Sequence, residues 1–116
     1  MTGPGAMLRL LCIANPARYA SAVTDIPLSY ARLAAHPRVE LYHAETAAMM
    51  RGEDRIQVLR VPVGFMPDEF RTLPERQTVA LPPSHFDLAF DRTLKPFPDG
   101  FYDHLKGFAA AGLSFV

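Results

Sequence analysis

Apolar side chains fill residues 8–14 almost without a break, Arg9 alone interrupting Leu8, Leu10, Leu11, Cys12, Ile13 and Ala14. Continuous apolarity, rather than alternation, marks a strand covered on both faces, as in a parallel sheet. Asn15-Pro16 ends the run, and residues 17–24 read as a loop. Ile26, Tyr30, Leu33 and Ala34 then fall at i, i+4, i+7 and i+8, one face of a helix over residues 26–35. Asp25 or Thr24 is placed to cap it, Pro27 suits its first turn, and His36-Pro37 stops it. Residues 39–43 form the next strand, which makes a βαβ unit with a right-handed crossover.

The pattern then weakens. Residues 46–50 fit either one helical turn capped by Thr46 or half of a hairpin turning at Gly52-Glu53. Residues 56–61 alternate in part and read as an edge strand. Residues 62–83 are irregular, with a short strand at 78–81, and Phe70 and Leu73 placed to anchor them to the core. So long a stretch without structure is typical of a functional or mobile loop. A second apolar run, Phe86 to Phe90, ends abruptly in Asp91-Arg92, so residues 88–91 read as an interior strand. A loop with Pro96 and Pro98 follows. Phe101, Leu105, Phe108 and Ala109 then repeat the helical spacing, with Asp99 as cap and Gly112 as stop. Residues 113–116 begin another strand. The alternation predicts an α/β fold: a central, mostly parallel sheet of residues 8–14, 39–43, 88–91 and 113–116, covered by helices at 26–35 and 101–111.

Composition narrows the classes. A chain of 116 residues is one domain by size. Its 12 basic and 12 acidic side chains balance and intersperse, which argues against nucleic-acid and membrane partners. No apolar run approaches the ~20 residues of a membrane helix. No basic segment precedes residues 8–14, so residues 1–7 read as a flexible leader rather than a signal peptide. The single cysteine, Cys12, excludes an internal disulfide and fits a reducing compartment, so a cytoplasmic location is expected. An ending inside a strand suggests a domain cut before further domains, with bare apolar surface there that leaves homo-oligomer formation open.

Ligands of open α/β sheets sit beyond the carboxyl ends of the strands. Four residues are placed there. Arg92 carries a planar fork that matches a carboxylate or an acyl phosphate; its plainer reading is a salt bridge to Asp91 or a nearby loop. Lys95 would neutralise a second anion, or is a solvated loop charge. Asn15, with Arg18 beside it, would contact ligand, or Asn15 simply ends the strand. Asp25 is a ligand group or a helix cap. Cys12 lies mid-strand and reads as a buried, inert thiol. His36, His43, His85 and His104 are scattered, with no zinc-ligand spacing. Asp68-Glu69 reads as a solvated pair. No Gly-x-Gly-x-x-Gly or Gly-x-Ser-x-Gly occurs, so neither dinucleotide binding nor a serine hydrolase is indicated.

Phe90-Asp91-Arg92-Thr93-Leu94-Lys95-Pro96-Phe97, followed by Phe101-Tyr102, resembles the Met-Arg-Lys-Asp-Pro-Pro-Phe-Asp segment of bacterial glutathione synthetases, ligases of the ATP-grasp superfamily. Arg92, Pro96, Phe97 and Phe101 fall in register without gaps. The Asn15-Pro16 loop, Asp25 before the first helix, Arg51-Gly52-Glu53 for the family's Asn-Gly-Glu turn, and residues 111–116 for its Lys-Gly-Thr-Leu-Ile-Val extend the likeness over most of residues 7–116. The resemblance implies a three-layer, Rossmann-like pre-ATP-grasp domain facing an amino-acid or peptide substrate. In such ligases ATP and magnesium, held by two later domains, activate a carboxylate as an acyl phosphate, which an amine attacks. This chain would bind neither cofactor itself and would have the ATP-grasp domains as its partners. Thr93-Leu94 stand where the family has Lys-Asp, an exchange that bears on which substrate is taken. A free-standing α/β binding or assembly module without catalysis is the alternative.

Overall fold

The computed structural model describes residues 7–20 and 24–116. Residues 1–6 of the expected leader, and 21–23 of the expected loop, lie outside the described residues. In chain order the elements are β1 (Leu8–Ala14), α1 (Asp25–Ala35), β2 (Val39–Glu45), β3 (Ile56–Arg60), β4 (Val79–Leu81), β5 (Leu88–Asp91) and α2 (Phe101–Ala110). Short 3-10 segments lie at Pro16–Arg18, Thr46–Met50, Pro67–Glu75 and Pro83–His85.

The strands form one five-stranded open sheet in the order β4-β3-β2-β1-β5. β1 runs parallel to β2, Leu8 opposite Val39 through Ala14 opposite Glu45, and parallel to β5, Leu10 opposite Leu88. β2–β3 and β3–β4 are antiparallel. The sheet is therefore mixed, which corrects the expectation of a mostly parallel one. The reason is connection length. A parallel crossover takes about a dozen residues or more, usually with a helix. Residues 46–55 offer only a 3-10 turn and a bend, closed at Gly52 with φ +70°, so the chain comes back antiparallel. β3 is also not an edge: β4 covers its outer side. Residues 46–50 do form a helical turn, with Glu45 rather than Thr46 at the cap position, and the reversal at Gly52 expected of the alternative follows it.

β1 explains its own composition. Leu10, Cys12 and Ala14 enter the core on the α1 side, Leu11 and Ile13 the core on the α2 side. Both faces are covered, so alternation is lost. Tyr30 and Ala34 of α1 pack on the first face with Phe70 and Leu73 of the segment Pro67–Glu75, the anchors expected from the sequence. Phe101, Leu105 and Phe108 of α2 pack on the second with Met49. Full burial of each such side chain contributes about 1.5–3 kcal/mol.

The caps differ from expectation. Asp25 is the first residue of α1, not its cap, and Thr24 at the N-cap position makes no side-chain bond. Gly100, at φ +76°, rather than Asp99 precedes α2. Gly112 does close α2. At φ +110° it lets the Leu113 N–H reach the Phe108 carbonyl at 3.0 Å and its own N–H reach Ala109 at 3.1 Å, a Schellman stop. The expected terminal strand reduces to one parallel bridge, Phe115 to Ala89. The Ala89 N–H donates to Ser114 at 2.8 Å, and the Val116 N–H donates to Ala89 at 2.9 Å. Among the described residues no helix is long and apolar enough to cross a membrane.

Candidate functional site

In this sheet α1 lies beside β1 on the way to β2, whereas β5 joins β1 on the other side. The chain thus departs in opposite directions from the carboxyl ends of β1 and β5. Such a switch point is where open α/β sheets leave a crevice. The loop that follows each strand shapes it.

Asn15, half-buried at the end of β1, spans the two loops. Its Nδ2 donates to the Leu94 carbonyl at 3.1 Å, and its Oδ1 accepts from the Leu94 N–H at 2.8 Å. Both ends of the amide bond the backbone of one residue, so Asn15 clasps the two loops together. The loop is held at four further points. The Arg92 N–H donates to the Ile13 carbonyl at 2.7 Å. The Thr93 N–H donates to Asp91 Oδ1 at 3.0 Å. The buried hydroxyls of Thr93 and Thr46 lie 2.6 Å apart. The Tyr19 hydroxyl donates to the Arg92 carbonyl. Downstream, Phe97 stacks on Phe101 at 5.8 Å between centroids, pinning the loop to α2.

These contacts fix the backbone and leave the charged ends out. The Arg92 guanidinium lies 5.2 Å from the Phe90 ring centroid and touches only the Asp91 carbonyl, at 3.3 Å. Arg92 and Lys95 are exposed, and among the described residues neither forms an ion pair. The salt bridge to Asp91 is absent; the Asp91 carboxylate serves the Thr93 N–H instead. Asp25 is exposed and lies, with Arg92, within electrostatic reach of the Tyr19 phenol. Burial first, then the Cys12 group, pushes that phenol up to about 12, while Arg92 works against the rise. All four residues singled out from the sequence thus gather around this switch point, two as free cations, one as a clasp and one on the flank.

Tyr19 and Thr46 were not legible as members of this region. Tyr19 is 3 % exposed, which a tyrosine in a Pro-containing loop does not announce. Its ring meets Phe70 edge-on at 5.2 Å, so its partner lies in a segment that shows no regular pattern.

A second polar cluster is built differently. His43 on β2 is 1 % exposed. Its Nδ1 lies 2.6 Å from the Tyr30 hydroxyl, and its Nε2 pairs with the Glu45 carboxylate. The Tyr30 hydroxyl also lies beside the Cys12 sulfur, where it favours the thiolate. A carboxylate only accepts, so Nε2–H donates to Glu45, while Nδ1 shares a hydrogen bond with the Tyr30 hydroxyl. Burial pushes the Cys12 thiol up to about 12, despite the Tyr30 bond that opposes it, so the thiol is inert as expected. Cys12, Tyr30 and His43 are all closed off from ligand.

Among the described residues no group of three or more His, Cys, Asp or Glu side chains is placed to hold a metal ion. No family model matches the chain, and no curated protein matches it.

Proposed function

We propose that the chain is the substrate-facing, Rossmann-like amino-terminal domain of a glutathione-synthetase-like ATP-dependent carboxylate–amine ligase, and that it catalyses nothing by itself. One observation supports this above the others. The segment that carries the likeness, residues 90–97, is a braced loop at the β1–β5 switch point, and its Arg92 has no carboxylate partner among the described residues. A guanidinium held at the mouth of a crevice and not neutralised suits a carboxylate, which its fork can bind through two parallel hydrogen bonds. Lys95, as a point charge, serves a second anionic group. In this reading the phosphate chemistry, with its ATP and magnesium, belongs to the ATP-grasp domains. The protein would act in the cytoplasm on an amino acid or short peptide.

The test is to express the reading frame continued past Val116 and assay release of ADP with carboxylate and amine pairs. The reading predicts amide formation by the longer protein and none by the 116-residue chain. A frame that stops at Val116, with the chain binding a small ligand unaided, would overturn it in favour of a free-standing module.

A further inference from the structure

A cavity of about 390 Å³ lies beside the switch point, on the α1 side of the sheet. That volume falls in the ~300–1,000 Å³ range of small-ligand pockets. Tyr19 and Phe70 line it with their rings, and Pro27 of α1 and Pro67 add apolar walls. Two opposite charges stand at its rim, Asp68 and Arg71. They lie three apart in the 3-10 segment Pro67–Glu75, where side chains at that spacing eclipse, so both project on one face. Yet they do not pair with each other, and among the described residues neither forms an ion pair. The neighbouring acid, Glu69, is spent on Arg76 at 2.9 Å and does not quench Arg71.

An apolar pocket with one free cation and one free anion at its mouth is complementary to a zwitterion bearing an apolar tail. We infer that this cavity binds a free α-amino acid with an apolar side chain. Its carboxylate meets Arg71, its ammonium meets Asp68, and its side chain lies against Pro27, Pro67 and the packed Tyr19–Phe70 pair. The Tyr19 hydroxyl is already committed to the Arg92 carbonyl, so the ring serves as a wall and as the link from the pocket to the Arg92 loop. Occupation of the pocket would fix the loop in place through that bond. The inference goes beyond the ligase reading and does not depend on it, since the pocket belongs to the 116-residue chain alone.

The test is a titration of that chain followed by amide resonances, with L-leucine as the probe. Two truncated relatives accompany it: 4-methylpentanoic acid, which lacks the ammonium, and 3-methylbutylamine, which lacks the carboxylate. Saturable shifts at Ala20 and residues 68–71, spreading to Arg92, are expected with leucine, and weaker ones with either relative. Asp68→Asn and Arg71→Gln change exposed side chains and keep the fold. Each should weaken leucine binding roughly two- to tenfold. Asp68→Asn should leave the acid's binding unchanged, and Arg71→Gln the amine's. No saturable shift up to the solubility limit of leucine overturns the proposal. So does binding that ignores both substitutions, or shifts confined to residues 92–95. None of these outcomes bears on ATP-dependent amide formation by a longer protein, so the two readings fail separately.

Discussion

Two polar regions lie at carboxyl ends of neighbouring parallel strands and spend their side chains in opposite ways. At β2 the residue types most often linked with catalysis pack together: Cys12, Tyr30 and His43 are buried, and Tyr30 and Glu45 take up both ring nitrogens of His43. At β1 and β5 the hydrogen bonds go to backbone, through Asn15, Tyr19 and Asp91, and the cations Arg92 and Lys95 remain outside. The difference teaches where function can sit. A buried group that is fully bonded has nothing left for a ligand, and removing it leaves its partners unpaired. An exposed charge on a braced loop contributes little to stability and is free to bind. Substitutions should therefore damage the fold at the first region and ligand binding at the second.

The largest effect is expected at His43. His43→Ala opens a cavity and leaves the Tyr30 hydroxyl and the Glu45 carboxylate without their partner, so unfolding by denaturant should show a loss of about 3–5 kcal/mol. A loss under about 1 kcal/mol would erase the contrast between the two regions.

Alkaline pH attacks the same cluster. The Cys12 pKa is raised from 9.0 to about 12 by burial. The unfolded chain therefore gives up this proton first, and stability is complete below about pH 8.5–9. It should fall as pH rises from there towards 12, by up to about 1.4 kcal/mol per pH unit from this group. Denaturation midpoints of the parent and Cys12→Ala across that window check it. The slope should be shallower in the variant, whatever its stability at neutral pH; equal slopes would remove Cys12 from the account.

The clasp sharpens the comparison from the other side. Asn15→Ala deletes two bonds to Leu94 and leaves its N–H and carbonyl half-buried and unpaired, a cost of about 1–3 kcal/mol. Hydrogen exchange at residues 92–95 should quicken more than elsewhere. Uniform quickening would mean that Asn15 supports the whole sheet rather than this loop.

Much of this organisation was legible in the chain. β1, α1, β2, β5 and α2 each show a mainly apolar run or a clean helical period, and their positions follow. Strand direction did not, because it depends on the length and path of residues 46–55 rather than on the pattern of the strands they join. Ile56-Gln57-Val58 alternates as an edge strand would, yet β4 lies outside it. Val79 at 58 % exposure carries no burial signal to predict that pairing. The site was legible as charge at a strand end. The roles within it were not: Asn15 and Arg92 both follow apolar runs, and only the fold shows that Asn15 is consumed by Leu94 while Arg92 stays unpaired. His43 illustrates the reverse. Its sequence neighbourhood gave no sign of Tyr30 and Glu45 closing on it.

The smallest effect on stability is expected at Arg92, and it carries the central claim. Arg92→Ala removes only a stack on Phe90 and one long contact to the Asp91 carbonyl, so thermal stability should drop by less than about 1 kcal/mol. The direct measurement is steady-state kinetics of the proposed ligase, expressed from whatever frame continues past Val116, with Arg92→Lys and Arg92→Ala beside the parent and melting curves taken in parallel. The account predicts unchanged melting and an apparent substrate constant for the carboxylate raised about ten- to a hundredfold in Arg92→Ala, less in Arg92→Lys, which keeps the charge and loses the fork. Parental kinetics in both variants, together with a sharp drop in melting temperature, would make Arg92 a structural residue and contradict the account.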